Sequence, residues 1–100
     1  MFEQVLAEMQ AAAKSKRVYL TEHARDEMAD DDLTFGDVIH CILTGEIIEQ
    51  QFDEQRGEDK YVVYGDCLNE DEMAVVAKLT YNLKVGVITV YRLRVTDYDY

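Results

Sequence analysis

The chain has 100 residues, a formal net charge of −11 and 48% hydrophobic residues, which suits one domain with a modest core and excludes disorder. So acidic a balance repels phosphate backbones, which excludes general coating of DNA or RNA and suits docking onto a basic partner. Proline is absent, removing polyproline recognition segments, and no apolar run is long enough to span a bilayer.

Residues 2–15 predict an amphipathic helix. Phe2, Val5, Leu6 and Met9 share one face at i, i+3, i+4 and i+7, and alanines continue it. No basic n-region precedes its apolar residues, so it is not read as a signal peptide. Residues 17–20 read as a short extended stretch. Thr21 is a candidate N-cap for a second helix through Ala29. Asp30, Asp31 and Asp32 would meet the negative end of that helix and therefore mark a turn. Thr34, with Asp37 three residues on, resembles a capping box for a third helix. Phe35, Val38, Ile39 and Ile42 line its apolar face, and Gly45 is expected to end it as a C′ glycine.

After Gly45 the period becomes strand-like. Strands are predicted at 46–52, 60–66, 73–81 and 85–95, joined by polar segments of hairpin length. The resulting expectation is an α+β domain spanning residues 1–100, with two to three N-terminal helices packed on a four-stranded antiparallel β-meander. The third and fourth strands are apolar on both faces for part of their length, so they should be central. Cys41 and Cys67 are expected to be buried free thiols in a reducing cytosol, with a disulfide as the alternative, and the expected location is cytoplasmic.

Several short motifs follow one another along the chain. Leu20-Thr21-Glu22-His23-Ala24-Arg25 precedes Asp37-Val38 and Leu43-Thr44-Gly45-Glu46-Ile47-Ile48-Glu49. Tyr61-Val62-Val63-Tyr64-Gly65 and Val87-Ile88-Thr89-Val90-Tyr91-Arg92 follow. Over roughly residues 3–93 this order resembles a bacterial and phage-associated family of small proteins described as a domain of unknown function. Through it, the chain resembles the RelE-like and barnase-like ribonuclease toxins. The resemblance implies N-terminal helices on a four-stranded antiparallel sheet, metal-independent RNA cleavage and an antitoxin partner.

On that reading His23, Lys60, Tyr91 and Arg92 are the candidate catalytic residues, and Arg25, Tyr61 and Arg94 would bind substrate. A histidine titrates near neutrality and can move a proton. Arginine and lysine can stabilise a phosphorane, and tyrosines can stack bases. Each has a plainer alternative: His23 as a bridge from helix to strand, the arginines as neutralisers of nearby carboxylates, and the tyrosines as sheet packing. The acidic closing residues 97–100 read as a frayed tail, or as a phosphate mimic that fills a basic groove on a partner. No C-x-x-C or H-x-x-x-H spacing and no Gly-rich phosphate loop is present, so no metal and no cofactor is expected. The competing function is a non-enzymatic, acidic protein-interaction module on the same fold. Its partner would be a basic protein, with RNA disfavoured by charge.

Overall fold

The apolar stripe of the first segment forms helix α1 (Glu3–Lys14), in which Met9 and Ala12 are wholly buried. The computed structural model describes residues 1–93. Helix α1 ends in a Schellman turn: Lys16 adopts a left-handed φ of 60°, its N–H reaches the Ala13 carbonyl (3.1 Å), and the Arg17 N–H reaches that of Ala12 (2.8 Å). Strand β1 (Val18–Leu20) follows.

Thr21 caps helix α2 (Glu22–Asp30), accepting the Ala24 N–H at 3.1 Å. The same turn chemistry ends this helix, with Asp32 at φ 54° and the Leu33 N–H on the Met28 carbonyl at 2.8 Å. Helix α3 (Phe35–Thr44) starts with the full reciprocal box. Asp37 N–H donates to Thr34 Oγ1 (3.1 Å), and Thr34 N–H donates to Asp37 Oδ2 (2.8 Å). Gly45 ends α3, but with φ −92° and ψ −171° it is extended rather than left-handed. The reason for a glycine there is steric: a Cβ would lie 2.5 Å from the carbonyl oxygens of both Cys41 and Tyr64.

Asp37 is the one charged side chain buried in the domain's interior among the described residues. Burial raises its pKa. Hydrogen bonds from the Leu68 and Thr34 N–H groups and the Thr34 hydroxyl, together with the Arg92 charge, more than offset this and hold it below the ordinary aspartate value. A depressed acid stabilises the fold above its unfolded pKa of about 3.9 and loses that contribution as pH falls through the folded value. Asp37→Asn should therefore be clearly less stable than the wild type at pH 6. The difference should shrink steadily when urea unfolding is repeated at pH 4 and pH 3. A gap independent of pH would refute this account.

Four strands, β2 (Glu46–Asp53), β3 (Glu58–Asp66), β4 (Glu72–Leu79) and β5 (Val85–Arg92), form the expected antiparallel meander. The sheet is nevertheless five-stranded and mixed, in the order β1-β5-β4-β3-β2, because β1 pairs in parallel with β5 (Val18↔Val85 to Leu20↔Val87). This corrects the four-stranded expectation. A meander alone would leave the doubly apolar β5 at an edge with unpaired backbone groups, and β1 fills that position. Beyond β1, helix α2 continues the closure. Thr21 N–H donates to the Val87 carbonyl and Thr21 Oγ1 to that of Ile88. Glu27 accepts the Val90 N–H at 3.1 Å, and Asp31 accepts the Arg92 N–H at 2.9 Å.

Helices α1 and α3 cover one sheet face, where Met9, Val38, Cys41 and Ile42 meet Val63, Val75, Val85, Val87 and Val90. Both cysteines are buried and free, and burial pushes the Cys41 thiol up to about 12. Among the described residues, no helix covers the other sheet face. Among the described residues, no helix is long and apolar enough to cross a membrane.

Candidate functional site

Strand alternation decides which side chains reach the helix-free face. Tyr61 pairs with Ala77 and packs toward the helices, so its neighbours Lys60 and Lys78 point the other way. Lys78 pairs with Gly86, and Gly86 with Tyr19 of β1. The Tyr19 ring lies across that glycine so closely that a Cβ on Gly86 would stand 2.4 Å from the phenol oxygen. The start of α2 brings Thr21 and His23 to the same place, and the β2–β3 turn brings Arg56. Together these residues, with Asp53, Glu58 and Ile88, line a groove of about 400 Å³.

The groove is electrostatically unlike the rest of the protein. Its lining carries three fixed cations, Arg56, Lys60 and Lys78, against two carboxylates, Asp53 and Glu58. Lys78 is held by Glu58 at 2.9 Å, and this bond raises its pKa. Arg56 lies 3.8 Å from Asp53. Lys60 makes no ion pair among the described residues, so its charge is free for a ligand.

His23 is largely exposed, with Nε2 3.3 Å from Glu27 Oε2. Glu27 is itself fixed by the Val90 N–H on its other oxygen.

His23 and Lys60 thus meet in one groove, and the other described candidates stand elsewhere. Arg92 lies on the helix side with 15% of its side chain exposed. Its Nη1 donates to Asp71 at 2.7 Å, its Nε to the Asp31 carbonyl and its Nη2 to that of Asp32, each at 3.2 Å. Tyr91 pairs with Ala74 and does not line the groove. Tyr61 packs edge-on against Phe2, with ring centroids 6.1 Å apart, and burial raises its pKa. Arg25 is exposed on α2 and outside the groove. Arg94 and the closing residues 97–100 fall outside the described residues.

Tyr19, Arg56 and Lys78 are groove residues that the sequence reading did not select. Lys78 could have been found by alternation, being polar where Val76 and Ala74 precede it on the same face. Tyr19 could not, because its position depends on a pairing partner far away in the chain. Among the described residues, no group of three or more His, Cys, Asp or Glu side chains is arranged to hold a metal ion.

A family model described as "Domain of unknown function (DUF4258)" matches residues 20–92, from the end of β1 through β5. Comparison with proteins of curated function and with solved structures finds no match.

Proposed function

We propose that the chain, which belongs to the family of domains of unknown function DUF4258, is a small metal-independent ribonuclease of the toxin type, working in the groove on the open sheet face. The observation that carries this reading is the meeting of His23 with the unpaired Lys60 in a locally cationic groove, within a chain of net charge −11. A local cationic site can bind one phosphodiester where the surrounding surface rejects a long one. This accommodates the acidic composition without requiring general RNA affinity.

The residues have complementary roles. His23, with the Glu27 carboxylate beside it, takes the proton from a ribose 2′-OH. The 2′ oxygen forms its bond to phosphorus, and the bond from phosphorus to the 5′ oxygen breaks. Lys60, with Lys78, stabilises the charge that builds on the phosphoryl oxygens. The Tyr19 phenol supplies the leaving oxygen with a proton, or stacks on a base. The products are a 2′,3′-cyclic phosphate and a free 5′-OH. Arg92 is engaged by acidic partners and has no part in this scheme.

The reading is tested with purified protein and a short single-stranded RNA carrying a fluorophore and a quencher. Cleavage should leave a 2′,3′-cyclic phosphate terminus. His23→Ala should slow it by about 10²-fold or more, and Lys60→Ala by roughly ten-fold to 10²-fold. Folded protein that cleaves no RNA, and whose expression leaves growth unaffected, would defeat the proposal. It would favour the non-enzymatic reading, an acidic module that binds an antitoxin or another basic protein. The engagement of the Arg92 guanidinium by the Asp71 carboxylate and the Asp31 and Asp32 carbonyls supports that second reading, because it removes a strong cation from the RNA-facing inventory.

A further inference from the structure

The two edges of the sheet are treated differently. The β5 edge is closed by β1 and then by Thr21, Glu27 and Asp31. The β2 edge ends the sheet, and no hydrogen bond from another described element closes it along residues 46–52. Its side chains sort by face. Glu46, Glu49, Gln51 and Asp53 oppose Tyr64, Val62, Lys60 and Glu58 and share the helix-free face. Phe52, 61% exposed, stands on the other face, and Ile48, 55% exposed, sits at the bulge between Ile47 and Glu49.

We propose that this edge docks an extended basic segment of a partner protein as a sixth strand. Main-chain hydrogen bonds would supply affinity, and alternation would supply specificity. The partner's basic residues would meet Glu46 and Glu49 on the open face, and its apolar residues would cover Phe52 and Ile48. A second copy of this chain does not fit. Residues 46–53 contain no cation, and two copies of net charge −11 would place carboxylates opposite carboxylates. The inference is independent of RNA cleavage and holds whether or not the groove is catalytic.

The probe is an N-acetylated seven-residue peptide alternating lysine and valine, added to ¹⁵N-labelled full-length protein. The amides of β2 that point away from β3 should gain protection from hydrogen exchange, and binding should weaken with salt. Glu49→Lys should weaken binding roughly ten-fold. Asp26→Lys, the same change of charge on the exposed face of α2, should leave it within about two-fold. Chemical-shift changes centred on residues 30–32 or 70–72, or equal losses from the two variants, would show diffuse counter-ion attraction and overturn the proposal. So would a free protein that sediments as a dimer with β2 already protected.

Discussion

Gly45→Ala is expected to lower folding stability by about 3 kcal/mol or more, at the upper end of what overpacking costs. The added methyl would need to occupy space 2.5 Å from two carbonyl oxygens, one on α3 and one on β3. Neither is the tip of a flexible side chain. The Cys41 carbonyl accepts the Gly45 N–H at 2.8 Å, and Tyr64 is paired on both sides, to Glu46 and to Ala74. Relief would have to separate the end of α3 from the sheet. Gly65 faces the same contact, where a Cβ would stand 3.1 Å from the Gly45 Cα, so the two backbones meet with no side chain between them. Urea unfolding followed by circular dichroism gives the measurement. A variant within 1 kcal/mol of wild type would mean that the helix end shifts freely and that the junction is not tight.

The second large effect is expected at Arg92. Its guanidinium joins three separate parts of the chain: the end of α2, the β3–β4 turn and β5. It also satisfies two carbonyls past a helix C-terminus, where a cation is favoured. Arg92→Ala removes three side-chain bonds at once, including the ion pair with Asp71, a loss of about 2–3 kcal/mol. Arg92→Lys should recover less than half of it, since a lysine cannot reach three acceptors with a planar fork. Asp71→Ala should cost under about 1 kcal/mol, because Asp71 is 58% exposed and solvent screens it. The same unfolding series checks all three. RNA cleavage, corrected for the folded fraction, should be unchanged in Arg92→Lys if Arg92 acts only as a structural clamp.

The parts of this molecule legible in the sequence are those governed by local rules. The capping threonines 21 and 34, the Asp37 partner and the four meander strands each depend on residues within a few positions of one another. The fifth strand is different. Three residues carry no measurable period, and β1 is a strand only because β5 lies beside it. Gly45 ends α3 as its sequence position suggests, but the reason is a close approach to β3 that no local pattern encodes, not the left-handed conformation of a C′ glycine. The site divides in the same way. His23 and Lys60 could be picked out by residue chemistry, but their shared groove, and the separation of Arg92 from it, depend on which face each strand presents. The bulge at Ile88, where the β4–β5 register shifts between Val76 and Ala77, alters that alternation and could not be counted out from the sequence.

The parallel pairing of β1 with β5 also has a consequence for the order of folding. The Thr21 to Ile88 bond joins residues 67 positions apart, whereas the three hairpins close over short connections. Loop-closure entropy therefore favours the meander as an early structure, with β1 and α2 docking afterwards. During synthesis, α1, β1 and α2 emerge well before the strand that receives them and must wait with apolar faces uncovered. Perturbing the β1–β5 contact, for example with Val18→Ala, should mainly speed unfolding and leave the folding rate nearly unchanged.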